Sequence, residues 1–395
     1  MRCRSERVWA SGRVSRETQC VGAERVHWGR GLAWFALLVL GVCGSAAVVT
    51  LPDLEPSPDP SARLMPRPRD TRGNRVEAVA FSADGRTLLS CGADGIMEFW
   101  PMEEVLRGRP AAPSTMLEDR PLLAAAYSRD GRHFAVAGVG SALIGRLDGG
   151  VCRDVLRLEG RTYRCLAISP EGTQLALGGD DGVVRVLNIN TGHELLRLSS
   201  HMDSVRSLAF SPHGRRLISS GQDRRVILWD LESGRAIKNL TSPGASPVQF
   251  AAFSPDGRTV AIGDADENCS DVEIHDAQTG RVQARLSGHR AGIRALAFAP
   301  DGKTLATAGL DQKLIIWDLD AGSVRQCLDE HVGLVDSLAF SPDGSHLAFG
   351  GENQMLSIWE LASTRLLSIN CQTHARAERH LTHLSPLGKT VLPGA

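Results

Sequence analysis

The sequence has almost no net charge and few aromatic residues. Its 44 basic and 45 acidic residues leave a formal net charge of -1, and aromatic residues make up only 5% of the chain. A balanced charge offers no general attraction to nucleic acid, so we predict no nucleic-acid partner. Glycine, in contrast, is abundant at 41 residues, and this composition favours many tight turns over long helices.

The sequence also lacks the usual signatures of metal sites, disulfide frameworks and enzymes. Its nine cysteines are scattered without a Cys-x-x-Cys pair, which argues against a usual zinc site and favours free thiols. No G-x-G-x-x-G, H-E-x-x-H or G-x-S-x-G motif occurs. Residues 264–271 begin like a calcium loop, but Cys269 stands where such a loop requires glycine. We therefore predict no metal, no cofactor and no catalytic residue.

The first 73 residues divide into three segments of different composition. Residues 1–30 are rich in arginine, residues 31–51 carry no charge, and residues 52–73 hold six prolines. As a helix, the uncharged segment would span about 31 Å at ~1.5 Å per residue, which matches a bilayer core. We predict a basic N-terminal segment over 1–30, a transmembrane or signal-anchor helix over 31–51, and a Pro-rich linker over 52–73.

The basic flank of the apolar segment predicts the orientation of the chain. By the positive-inside rule the N-terminus stays in the cytoplasm, so we predict a single-pass membrane protein with the rest of the chain outside the cytoplasm. A cleaved signal peptide is an alternative, because small residues follow the most apolar part of the segment. Unpaired cysteines fit a reducing compartment instead. If translation began at Met65, the apolar segment would be absent and the protein cytoplasmic.

A short hairpin string recurs seven times in the remainder of the chain. It reads FSADG, YSRDG, ISPEG, FSPHG, FSPDG, FAPDG and FSPDG, beginning at residues 81, 127, 168, 210, 253, 298 and 340. Apolar runs of strand length flank every copy, and Asp and Gly favour the tight turn between them. Further runs such as LIIWDL complete four antiparallel strands in each unit. Most strands are apolar on both faces, so the sequence predicts small sheets stacked radially.

The later repeats carry a recognisable pair of dipeptides. Trp-Asp pairs stand at 229–230 and 317–318, and a Gly-His pair stands at 288–289. With these motifs the chain resembles the WD-repeat β-propeller family, in the bacterial type that carries an anchor-like segment. The resemblance implies an all-β fold, a seven-bladed β-propeller of four-stranded antiparallel blades over residues 74–374. Repeats 2, 3 and 5 match the family's motif poorly.

Two repeats match the family's hydrogen-bond tetrad residue by residue. In both, the histidine lies 22 residues before the aspartate, the hydroxyl residue four before it and the tryptophan six after it. The set resembles a catalytic triad, but its recurrence from blade to blade favours a structural role. The predicted structural tetrads are His201, Ser219, Asp223 and Trp229 in repeat 4, and His289, Thr307, Asp311 and Trp317 in repeat 6.

The C-terminal residues 375–395 resemble the first half of an eighth unit. Leu384 lies 44 residues after Phe340, in phase with the repeat, but the third and fourth strands are missing. We predict a partial eighth repeat or a tail attached to a seven-bladed ring. An eight-bladed ring is the alternative.

Polar residues recur four positions before the hairpin string, in the strand expected to line the central channel. Leu123 is the apolar exception; the candidate partner-binding ring is Glu77, Arg164, Arg206, Gln249, Arg294 and Asp336. Blades 7 and 1 are neighbours in a closed ring, so the two acidic residues should lie side by side with the arginines on the opposite arc. We predict that a peptide or acidic partner docks on this arc. Mutual pairing of these side chains inside the channel is the alternative.

The resemblance implies a non-catalytic scaffold for protein–protein interaction, tethered to or exported across a membrane. A fold by itself does not establish a function. The alternative is a propeller that binds a small ligand, or acts as an enzyme or sensor, through its channel. Histidine and carboxylate groups clustered at the channel mouth would mark that alternative, and the predicted ring contains no histidine.

Overall fold

The computed structural model describes residues 75–109, 113–148, 151–240, 248–264, 270–329, 333–352, 355–370, 381–384 and 390–391. The chain divides into two units, Met1–Arg67 and Pro68–Ala395, and all described residues belong to the second. The anchor helix predicted over 31–51 and its flanking segments lie outside the described residues. Among the residues described, no helix is both long and apolar enough to cross a membrane.

The described residues form seven antiparallel sheets, six of four strands and one of six, each with its strands in chain order. Blade 1 contains β1 (Val76–Phe81), β2 (Thr87–Gly92), β3 (Ile96–Pro101) and β4 (Ser114–Leu117). Blade 2 contains β5 (Leu122–Tyr127), β6 (Phe134–Gly138), β7 (Ser141–Asp148) and β8 (Val151–Glu159). Blade 3 contains β9 (Tyr163–Ile168), β10 (Gln174–Gly179), β11 (Val184–Asn188) and β12 (Glu194–Leu198).

The remaining four blades repeat this order. Blade 4 contains β13 (Val205–Phe210), β14 (Arg216–Gly221), β15 (Val226–Asp230) and β16 (Arg235–Asn239). Blade 5 contains β17 (Val248–Phe253), β18 (Thr259–Asp264), β19 (Val272–Asp276) and β20 (Val282–Leu286). Blade 6 contains β21 (Ile293–Phe298), β22 (Thr304–Gly309), β23 (Leu314–Asp318) and β24 (Ser323–Leu328). Blade 7 begins with β25 (Val335–Phe340), β26 (His346–Gly351), β27 (Met355–Glu360) and β28 (Arg365–Asn370).

Seven hydrophobic clusters hold the blades together, one between each pair of neighbours. Residues from blades 3 and 4, including Ala176 and Trp229, form one such cluster. The cluster that joins blade 7 to blade 1 closes the ring and contains Leu88 and Ile358. Because the second and third strands bury both faces, most of the apolar area lies between sheets. The predicted all-β, seven-bladed propeller is confirmed.

Two elements stand outside the regular blades. A short helix, α1 (Met102–Leu106), follows β3 and buries Met102 and Val105 in the cluster between blades 7 and 1. Pro101 precedes the helix, and two glutamates in its first turn suit the positive end of a helix dipole. The four-strand pattern of the repeat did not predict this helix.

The C-terminal segment extends blade 7. Strands β29 (Leu381–Leu384) and β30 (Thr390–Val391) pair in succession beyond β28, so that sheet has six strands. Leu384, which lies in phase with the hairpin string, pairs with Leu366 at the outer edge of the blade. Blade 7 already packs on blade 1, so these strands add to the rim of the ring and do not enter it.

The turn between the first two strands recurs in all seven blades, with Glu171 in blade 3 and His213 in blade 4 at the position of its aspartate. In blade 1 the Asp84 carboxylate accepts a hydrogen bond from the Ser82 hydroxyl at 2.7 Å and from the Arg86 backbone N–H at 3.0 Å. This bond to Ser82 is the main cause that lowers the pKa of Asp84. Blade 5 repeats the arrangement with Ser254 and Asp256. Blade 4 has His213 at the position of the aspartate.

We expect His213→Asp to stabilise the protein by about 1 kcal/mol, because it restores hydrogen bonds from a hydroxyl and a backbone N–H to a carboxylate. Chemical denaturation at neutral pH measures the change in the free energy of unfolding. The reverse change in blade 5, Asp256→His, is the matched control and should destabilise by a similar amount. A His213→Asp variant less stable than the wild type would contradict the account of this turn.

Candidate functional site

The predicted channel positions share one backbone feature. In each blade the pairing between the first and second strands skips one residue of the first strand, which is the signature of a β-bulge. The skipped residues are Glu77, Leu123, Arg164, Arg206, Gln249, Arg294 and Asp336. First strands of neighbouring blades contact one another around the ring, so the bulges hold these seven positions at one level of the channel. We call them the channel-mouth ring; the side chain of Gln249 lies outside the described set.

An arginine network surrounds the acidic part of the ring. Asp336, whose side chain is only 8% exposed, accepts hydrogen bonds from Arg75 Nε at 2.6 Å and from Arg294 Nε at 2.5 Å. Arg75 also forms an ion pair with Glu352, and its Nε lies 3.6 Å from the Glu77 carboxylate. Blades 6, 7 and 1 therefore share one cluster of alternating charges.

This cluster differs from the charge separation predicted from the sequence. Glu77 and Asp336 do lie near each other, but Arg294 belongs to the acidic cluster and not to an opposing basic arc. The reason is geometric, because blades 6 and 7 are neighbours and a long arginine reaches the next bulge. Arg75 and Glu352 were not predicted from the sequence, because each lies just outside a strand. The sequence signal that could have identified Arg75 is its position two residues before Glu77, where side chains of an extended strand share one face.

Glu77 is held in an unfavourable setting for a carboxylate. Burial raises the pKa of Glu77, and the neighbouring Asp336 carboxylate raises it further. A carboxyl whose pKa is higher in the folded state favours folding when protonated and opposes it when ionised. Its contribution is therefore unfavourable at neutral pH and becomes less so as the pH falls toward the ordinary glutamate pKa.

We expect Glu77→Gln to raise the free energy of unfolding at pH 7 by about 0.5 kcal/mol, because the amide removes the ionised carboxylate. The gain should disappear near pH 4, where Glu77 of the wild type is protonated. Denaturant unfolding of both proteins at the two pH values measures this difference. A variant that is less stable than the wild type at pH 7 would show that the ion pair with Arg75 dominates.

The arginines of blades 3 and 4 have different environments. Arg164 donates two hydrogen bonds to the Asp180 carboxylate, at 2.7 and 3.1 Å, and the Ser204 hydroxyl donates to the same carboxylate at 2.9 Å. Within the described ranges, the buried Nε of Arg206 has no hydrogen-bond partner. Burial and the nearby Arg164 lower the pKa of Arg206. Of the two carboxylates near Arg206, Asp180 is bound to Arg164 and Asp203 accepts the Ser204 backbone N–H.

The four residues of each predicted tetrad lie in contact. In blade 6, Trp317 Nε1 donates to the Thr307 hydroxyl at 2.7 Å, and that hydroxyl lies 2.8 Å from His289 Nε2. His289 Nδ1 lies 3.0 Å from the Asp311 carboxylate. In blade 4 the corresponding distances are 2.8 Å from Trp229 to Ser219, 2.7 Å from Ser219 to His201 and 2.9 Å from His201 to Asp223.

The tetrad geometry fits a structural network better than a nucleophile. The hydroxyl is occupied by the indole N–H and the imidazole, and Ser219 and Thr307 are fully buried. The aspartate also accepts the backbone N–H that follows the histidine, from Met202 in blade 4 and Arg290 in blade 6. Each tetrad therefore links the loop before the first strand to the second and third strands. A structural role for both remains our prediction.

Other blades contain parts of this network. In blade 1, Trp100 donates to Ser90 at 3.0 Å. In blade 5, His275 takes the position of the tryptophan and lies 3.0 Å from Glu273, which also binds Arg285. In blade 7 the hydroxyl position is held by the apolar Phe349, and among the described residues the Trp359 Nε1 has no acceptor. In the part of the chain described, no three His, Cys, Asp or Glu side chains are arranged to hold a metal ion.

The model of one known protein family matches five stretches of the chain. The model of the family "WD domain, G-beta repeat" matches residues 68–101, 152–188, 192–230, 280–318 and 322–360. The first three strands of blades 2 and 5 fall outside these matches, in agreement with their poor motifs. Repeat 3 is matched, although its motif is also weak.

Several curated proteins are similar to part of the chain. A Periodic tryptophan protein 2 homolog of Mus musculus is 29% identical over 250 residues, covering 62% of this chain and 26% of that protein. The homolog of Dictyostelium discoideum is 28% identical over 169 residues, covering 42% and 18%. Protein HIR1 of Candida albicans is 27% identical over 177 residues, covering 41% and 18%. The chain thus spans about a quarter or less of these relatives.

These relatives come from eukaryotes and give no support to a bacterial type of the family. The family itself rests on two independent observations: the repeat model matches five stretches of the chain, and the described residues form seven four-stranded blades. In both respects the chain is similar to proteins of the WD40 repeat family.

Proposed function

We propose that the protein is a non-catalytic scaffold that binds a protein partner at the channel mouth. One observation carries the proposal: Arg206 stands at a bulge of the channel-mouth ring with a buried Nε that no described residue accepts from. A buried donor without an acceptor costs about 1–3 kcal/mol, which a partner's acceptor would recover.

The charges around Arg206 favour a carboxylate as that acceptor. Two carboxylates act on Arg206: Asp180 is bound by Arg164 and Ser204, and Asp203 accepts the Ser204 backbone N–H. The positive charge of the nearby Arg164 repels that of Arg206, and with burial it lowers the pKa of Arg206. A partner carboxylate would neutralise the excess positive charge of these two arginines and accept a charge-assisted hydrogen bond from Arg206. The proposed partner is therefore an acidic protein segment.

The contrast within the ring supports a single docking sector. Arg75 and Arg294 are already paired with Asp336, so the described residues of blades 6, 7 and 1 offer no uncompensated cation at the ring. Arg206 in blade 4, beside Arg164 in blade 3, is the position where an added carboxylate gains most. We infer that a bound segment places its acidic residue over blades 3 and 4.

We expect the tagged full chain to co-purify with a protein partner, and the Arg206→Met variant to recover at least about tenfold less of it, because methionine keeps the apolar stem and removes the donors. Quantitative mass spectrometry of the captured proteins measures the loss. Arg197→Met, which removes an exposed arginine of β12 outside the ring, is the control and should capture as the wild type does. Equal capture by a folded Arg206→Met protein would contradict the proposal.

We propose further that residues 31–51 tether the propeller to a membrane, with the propeller outside the cytoplasm. The support for this part comes from the uncharged segment and its basic flank alone. Membrane fractionation combined with N-terminal sequencing of the native protein tests it. A soluble chain that begins at Met65 would contradict it without affecting the channel-mouth proposal.

A further inference from the structure

A cleft of about 800 Å³ lies between blades 4 and 5, at the opposite ends of the strands from the channel-mouth ring. The turns that follow the first strands of both blades line it, together with the turn after β19. Four of its lining residues carry or can carry positive charge: His213, Arg215, Arg216 and Arg258. The volume falls in the range of ordinary ligand sites.

The cleft begins at the turn that departs from the repeat. In blades 1, 2 and 5, the arginine after the turn glycine lies within 4.0 Å of the aspartate of its own turn. In blade 4 that aspartate is His213, so Arg215 has no carboxylate in its own turn. The exposed histidine also lacks the hydrogen bond from the turn serine that blades 1, 2, 5 and 7 use. Departures of this kind from a repeated pattern occur at functional or strained sites.

The three basic side chains at the blade 4 turn donate no hydrogen bonds to other described residues. Among the described residues, the side chains of His213, Arg215 and Arg216 make no hydrogen bond or ion pair. Arg216 stands opposite Asp230 in the strand register. Hydrogen bonds from Ser233 to one carboxylate oxygen, and the charge of Arg216, lower the pKa of Asp230. Arg216 is thus close to a carboxylate but donates no hydrogen bond to it.

The two aspartates that line the cleft accept hydrogen bonds from residues of their own turns. Asp256 accepts from the Ser254 hydroxyl at 2.6 Å and from the Arg258 backbone N–H at 3.0 Å. Asp276 accepts from the Thr279 backbone N–H at 2.6 Å and from the Gln283 amide at 3.1 Å. These bonds hold the carboxylates in place. Arg258 Nε lies 3.9 Å from the Asp256 carboxylate, so the donors that remain available to an anion are those of Arg215 and Arg216.

We propose that this cleft binds a phosphorylated side chain of a protein segment. Two guanidinium groups and an imidazole can supply the several donors that a phosphate dianion accepts, and arginine matches phosphate oxygens in pairs. The cleft is larger than a phosphate group, so it accommodates the residues on either side of the modified one. The site is separate from the channel mouth, and its existence does not depend on the scaffold proposal.

The probe is a capped pentapeptide with a central phosphoserine flanked by glycines, titrated calorimetrically into the full chain at low and moderate salt. Its unphosphorylated twin and inorganic phosphate are the comparison ligands. We expect saturable binding of the phosphopeptide, weakened by salt, with the unphosphorylated twin at least about tenfold weaker. Inorganic phosphate should also bind more weakly than the phosphopeptide.

The variant His213→Asp separates binding from folding. It places a carboxylate in the cleft, so it should weaken phosphopeptide binding at least about tenfold while making the protein more stable. Arg215→Ala should also weaken binding. Arg132→Ala, the equivalent arginine of blade 2, should bind as the wild type does. Equal affinity for the unphosphorylated twin, full affinity of His213→Asp, inorganic phosphate as tight as the peptide, or no saturable binding would each overturn the proposal.

Discussion

Replacing Thr307 with valine should lower the free energy of unfolding by about 3 kcal/mol. Valine has the shape of threonine, so the change removes the hydroxyl with little effect on packing. Trp317 Nε1 then loses its acceptor at 2.7 Å, and His289 Nε2 loses its partner at 2.8 Å. Thr307 is fully buried, so water does not replace the hydroxyl, and each orphaned group costs about 1–3 kcal/mol. Denaturant unfolding at neutral pH measures the loss.

The control for this prediction is Thr115→Val, at an exposed position of β4, which should change stability by less than about 0.5 kcal/mol. A Thr307→Val protein as stable as the wild type would contradict the structural role of the tetrad.

Burial lowers the pKa of His289, so the folded protein favours the neutral imidazole. The stability that the neutral imidazole contributes is complete above the ordinary histidine pKa and declines as the pH falls below it.

Replacing Asp336 with alanine should lower the free energy of unfolding by about 2 kcal/mol. The carboxylate is almost buried, and it binds both Arg75 and Arg294. Removing it leaves two arginines without their main partner in a cluster that links blades 6, 7 and 1. Loss of one member of a fully buried pair costs about 3–5 kcal/mol, and the partial exposure of both arginines reduces this value. Thermal and denaturant unfolding measure the effect.

Asp180→Ala is the matched control for this change, since it removes the carboxylate that binds Arg164. Both partners of that pair are more than a third exposed, so the cost should stay below about 1 kcal/mol. If Asp336→Ala were no more destabilising than Asp180→Ala, the cluster at the ring closure would have no special part in stability.

The sequence predicts the repeated elements of this protein well, because each depends on neighbours in the chain. The hairpin strings predict the turns, and fixed spacings from His201 to Trp229 and from His289 to Trp317 identify side chains that lie in contact. The position four residues before the hairpin string identifies the ring. The bulge that places it there is a property of strand pairing and has no separate signal in the residues.

The pairing of charges around the ring could not be predicted from single repeats. Arg75 and Asp336 are 261 residues apart and meet because the ring closes. Arg294 and Asp336 are 42 apart and meet because long side chains reach across neighbouring blades. The short helix α1 is an insertion in one blade, and a pattern derived from seven repeats does not contain it.

The most direct test of the scaffold proposal is the affinity of the captured partner for purified wild-type and Arg206→Met proteins, measured by calorimetry at one salt concentration. We expect Arg206→Met to bind at least about tenfold more weakly and to be at least as stable as the wild type, because it removes the buried donor without an acceptor. Arg197→Met should bind and unfold as the wild type does. Equal affinity of the wild type and Arg206→Met would show that the partner binds elsewhere and would contradict the account.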